Sequence, residues 1–256
     1  MFIYENGVFK SSLLVEQNVP HGFSTRVGGI SVKEHTKTMN VGFNRGDDDE
    51  TVVANIEILK KLSGAENTKT VYFPQIHSNI VRKIECPDFI SPIEPCDGAI
   101  TNQKGVSILA RVADCTPILF YGNGVVAAVH AGWRGTVARI CESAVSAFNE
   151  YGVKSSDITV AIGHCIHSCC FEVKEDFVEA VTSLCGSGFA NRHICKSDKG
   201  LFANMVSMNV EILNECGVTN IDVSNHCTSC NPSLFHSHRK TNGNRGTMGA
   251  LISLPE

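Results

Sequence analysis

Three short segments of the 256-residue chain place metal-binding or acid–base side chains at the ends of apolar runs. They are Pro74-Gln75-Ile76-His77-Ser78, Val112-Ala113-Asp114-Cys115-Thr116-Pro117 and Val129-His130-Ala131-Gly132-Trp133-Arg134-Gly135. A histidine that closes a buried strand just before a glycine-rich turn sits where backbone and ligand approach closely. Taken singly, each segment reads as a hydrogen-bonded core histidine or an inert buried thiol. Taken together, His77, Cys115 and His130 read as an open metal site. Three protein donors leave the fourth position of a tetrahedral zinc ion for water or substrate, which is the catalytic arrangement. Two histidines and a cysteine are also the blue-copper donor set, completed by a weak axial methionine. Multi-copper chemistry needs paired histidines, and the only His-x-His is His236-Ser237-His238, so zinc is expected over copper.

Five further cysteines gather in Gly163-His164-Cys165-Ile166-His167-Ser168-Cys169-Cys170-Phe171-Glu172 and in His226-Cys227-Thr228-Ser229-Cys230. Cys227-x-x-Cys230 is half of a structural zinc site completed by the first of these segments, a redox pair or incidental thiol. With no second Cys-x-x-Cys and no thioredoxin-like βαβ context, incidental thiol is the expectation. Four arginines stand out: Arg26 ahead of Gly28-Gly29, Arg134 between glycines, Arg239 after His238 and Arg245 before Gly246. Exposed backbone N–H groups, a helix amino terminus and a guanidinium fork make an anion pocket, and phosphate uses the fork best. Arg111 and Arg139 read as solvated surface.

The elements that must position these residues follow from periodicity. Gly28 to Asp49 reads as loop, then Thr51–Leu62 as a helix with Val52, Ile56, Leu59 and Leu62 on one face. Short β-type runs follow at Val71–Phe73, Ile80–Ile84, Gly105–Ala110, Thr116–Tyr121 and Val125–His130. The unbroken apolar Val125–Val129 suits a strand covered on both faces. Beyond the glycine turn, Thr136–Tyr151 reads as one helix, followed by strand Ile158–Gly163, helices Glu175–Leu184 and Met205–Cys216, strand Asn220–Val223 and a closing strand Met248–Leu254. Strands and helices lack the regular βαβα beat, which predicts α+β with mixed sheets. No repeat or Pro/Gly/Ser-rich linker divides the chain, so residues 1–256 are expected to form one domain.

Composition excludes several function classes. The 22 basic and 26 acidic residues, with no run of five like charges, argue against a nucleic-acid footprint. Glu5 and Asn6 fall where a signal peptide would be apolar, and no stretch reaches the ~18 apolar residues of a membrane span. The expected location is cytoplasmic, with the 12 cysteines reduced.

The His77 segment, Asp97-Gly98, Ala113–Pro117, His130–Gly135 and Cys169–Val173 together resemble the YfiH/YlmD family, once labelled polyphenol oxidase or laccase. Phe23–Gly29, Ser237-His238-Arg239 and Asn244-Arg245-Gly246 resemble family segments in the expected order, so the likeness spans nearly the whole chain. The resemblance implies a four-layered α/β/β/α fold with two mixed sheets.

 The resemblance also implies a zinc-dependent enzyme that acts on purine nucleosides and phosphate, cleaving adenosine, inosine, guanosine or methylthioadenosine, with adenosine deamination as a side activity; the protein is expected to be a monomer. The metal ligands it implies are His77, Cys115 and His130. It places Cys170 near the reacting centre and Arg26, Asp114, Arg134 and Arg245 around the substrate. The chain departs from the family's usual pattern at His164, Phe171, Asn204 and Lys240.

Two other functions use the same residues. A cysteine hydrolase or amidase would employ Cys115 or Cys170 as nucleophile with His130 or His77 as base. A non-catalytic protein would sense purines or metal. A copper-dependent polyphenol oxidoreductase is the alternative on the metal side.

Overall fold

Burial along the central strands alternates between two destinations, and this alternation builds the fold. The computed structural model describes residues 1–86, 88 and 91–255. The chain opens with β1 (Phe2–Glu5), β2 (Val8–Ser11), α1 (Ser12–Glu16), β3 (His21–Ser24) and α2 (Asp49–Ser63). Next come β4 (Lys69–Val71), β5 (Val81–Lys83), β6 (Gly98–Thr101), β7 (Val106–Val112), β8 (Thr116–Gly122) and β9 (Val125–Ala131). Helices α3 (Trp133–Val137) and α4 (Ile140–Glu150) lead to β10 (Thr159–Ile162), β11 (Glu172–Val173), α5 (Glu175–Cys185) and α6 (Ser187–His193). The chain ends with β12 (Ile194–Ser197), β13 (Gly200–Ala203), α7 (Met205–Glu215), β14 (Asn220–Val223) and β15 (Met248–Ser253).

One six-stranded sheet has the order β1-β2-β3-β15-β7-β4, a second the order β14-β10-β8-β9-β6-β5, and β11-β13-β12 form a small third. Both large sheets are mixed: β4 runs parallel to β7, β5 to β6 and β14 to β10, among otherwise antiparallel neighbours. On β9, Ala127, Val129 and Ala131 pack towards α3, α4 and α7, while Val126 and Ala128 pack towards the other sheet. On β15, Met248, Ala250 and Ile252 join that inter-sheet core, while Leu251 meets Val52, Ile56 and Leu59 of α2. Three apolar seams thus separate four layers, helix, sheet, sheet and helices. Each fully buried Val, Leu, Ile or Phe in a seam contributes about 1.5–3 kcal/mol.

The structure corrects several sequence expectations. The single helix expected over Thr136–Tyr151 is two, because Arg139 takes a left-handed φ of 62° between α3 and α4. Strand β4 ends at Val71 rather than Phe73. Strands β1 to β3, β6, β12 and β13 and helix α6 carried too little periodicity to be read. Among the described residues, no helix is long and apolar enough to cross a membrane.

Candidate active site

Strands β7, β8 and β9 deliver the central residues. Cys115 lies in the connection between β7 and β8, and His130 is the penultimate residue of β9, opposite Pro117 in the β8·β9 register. His77 comes from the loop after β4. There, the Gln75 side chain accepts from the Arg111 N–H at 2.9 Å and donates to the Arg111 carbonyl at 2.7 Å, standing in for a strand neighbour beyond Val71. The loop is then fixed by Asp97, whose carboxylate accepts from the N–H groups of Ile76, His77 and Ser78 and from the Ser78 hydroxyl. These bonds hold His77 at a left-handed φ of 59°.

The donor atoms of His77, Cys115 and His130 lie within 4.8 Å of one another. His130 Nδ1 is 2.8 Å from Asp97 Oδ1, and the pairing makes Nδ1 the donor and leaves Nε2 for a ligand. Gly132 permits the crowding, since a Cβ there would stand 2.5 Å from His77 Cδ2. Burial works against ionisation of Asp97, but the bonds from His130 and Ser78 prevail and hold its carboxyl at about 2. Burial likewise opposes a Cys115 thiolate, yet the two histidines draw the thiol down to about 6. His130 is pushed up to about 9, since the charges of Cys115 and Asp97 outweigh burial. A nitrogen–nitrogen–sulfur set with one carboxylate-oriented imidazole fits a metal ion.

The same cavity is lined by Arg45, Arg111 and Arg245. Arg245 is lowered to about 10 by burial and then by the neighbouring Arg45 charge. Its Nε is buried without a hydrogen-bond partner among the described residues. Burial also lowers Arg111, whose guanidinium lies over the Phe43 and Tyr72 rings at 5.7 and 5.5 Å. Two guanidiniums desolvated by burial, Arg111 and Arg245, thus share the cavity with the exposed Arg45 beside the triad, a donor set chemically suited to an anion.

Several expected residues stand elsewhere. Arg26 spends its guanidinium on the carbonyls of Lys37 and Pro232, and Arg134 stacks on Trp133 at 4.1 Å; neither lines the cavity. Arg111, expected on solvated surface, lines it instead, because it follows Ala110 onto the face of β7 where Phe43 and Tyr72 cover it. Asp114, at φ 86°, accepts from the Thr228 hydroxyl and the Arg239 N–H, both at 2.6 Å, so its carboxylate ties loops together. Cys170 does not line the cavity and stands with Cys169, Cys227 and Cys230. Of the departures, His164 is a core residue bonded to the Ser24 carbonyl, and Asn204 caps α7 through the Ser207 N–H. Asp97, Gln75 and Arg45 were missed as site residues; Asp97 before Gly98 and Arg45 between Asn44 and Gly46 were the available signals.

The family described as multi-copper polyphenol oxidoreductase laccase matches residues 20–255. The chain is 33% identical over 248 residues to "Purine nucleoside phosphorylase YlmD" of Bacillus subtilis, covering 92% of this chain and 88% of that protein. The crystal structure of the Bacillus licheniformis hypothetical protein YfiH superposes with a TM-score of 0.89 at 28% identity, covering 99% of each chain. YlmD from Geobacillus stearothermophilus gives a TM-score of 0.88 at 29% identity, covering 100% of this chain and 99% of that one. The chain therefore belongs to the YfiH/YlmD family, the one described as multi-copper polyphenol oxidoreductase laccase.

Proposed function

We propose that this protein is a zinc-dependent, cytoplasmic purine nucleoside phosphorylase, acting on adenosine, inosine, guanosine and methylthioadenosine and deaminating adenosine as a side activity. The observation that carries the reading is the meeting of the His77–Cys115–His130 triad with three arginines in one cavity. Relatives named purine nucleoside phosphorylase supply the substrate class. Zinc is preferred to copper because no methionine is among the residues lining the cavity, and His236 of the His-x-His pair is engaged with the Met39 carbonyl.

In phosphorolysis, a phosphate oxygen bonds to the anomeric carbon as the glycosidic bond breaks, and the purine leaves with the electron pair and takes up a proton. Arg45, Arg111 and Arg245 bind and orient the phosphate, which replaces their mutual repulsion with charge-assisted hydrogen bonds. Asp97 keeps His130 and the His77 loop in place. The chemistry that zinc supplies when bound is Lewis acidity, which favours the leaving purine and lowers the pKa of a water towards about 7.

One observation favours a second reading, a cysteine hydrolase: Cys115, His130 and Asp97 also form a nucleophile, base and orienting acid in series. The two part on chelation, which abolishes a zinc reaction and spares a thiol nucleophile. The direct test incubates metal-loaded protein with inosine, with and without phosphate. Equal amounts of hypoxanthine and ribose 1-phosphate, formed only with phosphate and lost on chelation, are expected. Base release that ignores phosphate, or no release, overturns the reading.

A further inference from the structure

A second cluster lies outside the cavity. The sulfurs of Cys169, Cys170, Cys227 and Cys230 all fall within 4.8 Å of one another, with Cys230 at 3.5 Å from Cys169 and 3.4 Å from Cys170. A disulfide needs about 2.05 Å. Four zinc–sulfur bonds of about 2.3 Å at tetrahedral angles set sulfurs about 3.8 Å apart, which is the scale of this cluster.

The backbone is arranged for thiolates as well. Cys227 Sγ accepts from the His167 N–H at 3.4 Å and from the Cys230 N–H across its own Cys-x-x-Cys turn. The two loops are also laced together: Cys165 and Cys227 form a parallel bridge, and the Thr228 N–H donates to the Cys165 carbonyl at 2.9 Å. The second pair of sulfurs comes from adjacent cysteines rather than from another Cys-x-x-Cys.

We propose that Cys169, Cys170, Cys227 and Cys230 hold a second zinc ion in a closed, structural tetrathiolate site. Its four protein ligands leave no position for substrate, in contrast to the triad. The site clasps loops that reach the cavity. Arg239 donates to the Cys170 and Glu172 carbonyls, and its N–H, with the Thr228 hydroxyl, holds Asp114 beside Cys115.

The test is zinc content per chain of the full protein prepared under reductant, with alkylation of each cysteine followed by mass spectrometry. The parent is expected to hold two zinc ions, and Cys230→Ser and His130→Ala one each. Cys169 and Cys230 should alkylate slowly until a chelator is added, while the exposed Cys86 and Cys195 alkylate at once. If Cys230→Ser does not fold, the parent's zinc count and alkylation pattern still decide. One zinc in the parent that Cys230→Ser retains, a disulfide within the cluster, or Cys169 and Cys230 alkylating as fast as Cys86 would each overturn the proposal.

Discussion

Asp97 fixes both histidines of the triad. One fully buried carboxylate orients His130 and holds three successive backbone N–H groups of the His77 loop. Asp97→Asn keeps the shape but offers an amide where a charge was, and zinc affinity at the triad is expected to fall about 10–100-fold. Competition against a chelator of known affinity measures it; an unchanged affinity would reduce Asp97 to loop packing. The triad also titrates. With Cys115 lowered to about 6 and His130 raised to about 9, the metal-free pair at neutral pH is a thiolate beside an imidazolium. Binding a metal must then expel the His130 proton, and below about 6 the Cys115 proton too. Zinc affinity is therefore expected to rise with pH up to about 9, more steeply below about 6. The same competition assay repeated across pH shows this, and a flat profile would contradict it.

At the scale of elements, the junction of β9 with α3 carries the crowding. Gly132→Ala places a methyl 2.5 Å from the His77 ring, so we expect weakened metal binding with the fold retained. Zinc content with circular dichroism on the same sample checks it; full zinc content would show that the His77 loop yields freely. The core of this arrangement was legible in the sequence. The apolar run of β9 marked a doubly covered strand, and His77, Cys115 and His130 ended recognisable runs. The break at Arg139 was not legible, because the apolar period of Val137, Ile140, Ala144 and Phe148 continues across a turn made by the backbone. The thiol cluster was legible only as the alternative to incidental thiol, because its sulfurs are split between adjacent cysteines and a distant Cys-x-x-Cys rather than two matching pairs. Arg45 and Arg111 escaped because their convergence depends on tertiary contacts: Asn40 holds both the Gly42 and Thr247 N–H groups, which sets the Arg45 loop against Arg245.

At the scale of the whole molecule, four layers bring strand ends from both large sheets and their loops to a single cavity in which the His77–Cys115–His130 triad meets three arginines. The central claim is that these two halves act together. The measurement that tests it is the phosphate dependence of inosine cleavage in the parent and in Arg245→Ala, with zinc content determined on the same samples. Loss of a charge-assisted hydrogen bond of about 1.5–3 kcal/mol predicts a KM for phosphate raised about 10–100-fold at unchanged zinc content. An unchanged KM for phosphate would contradict the account.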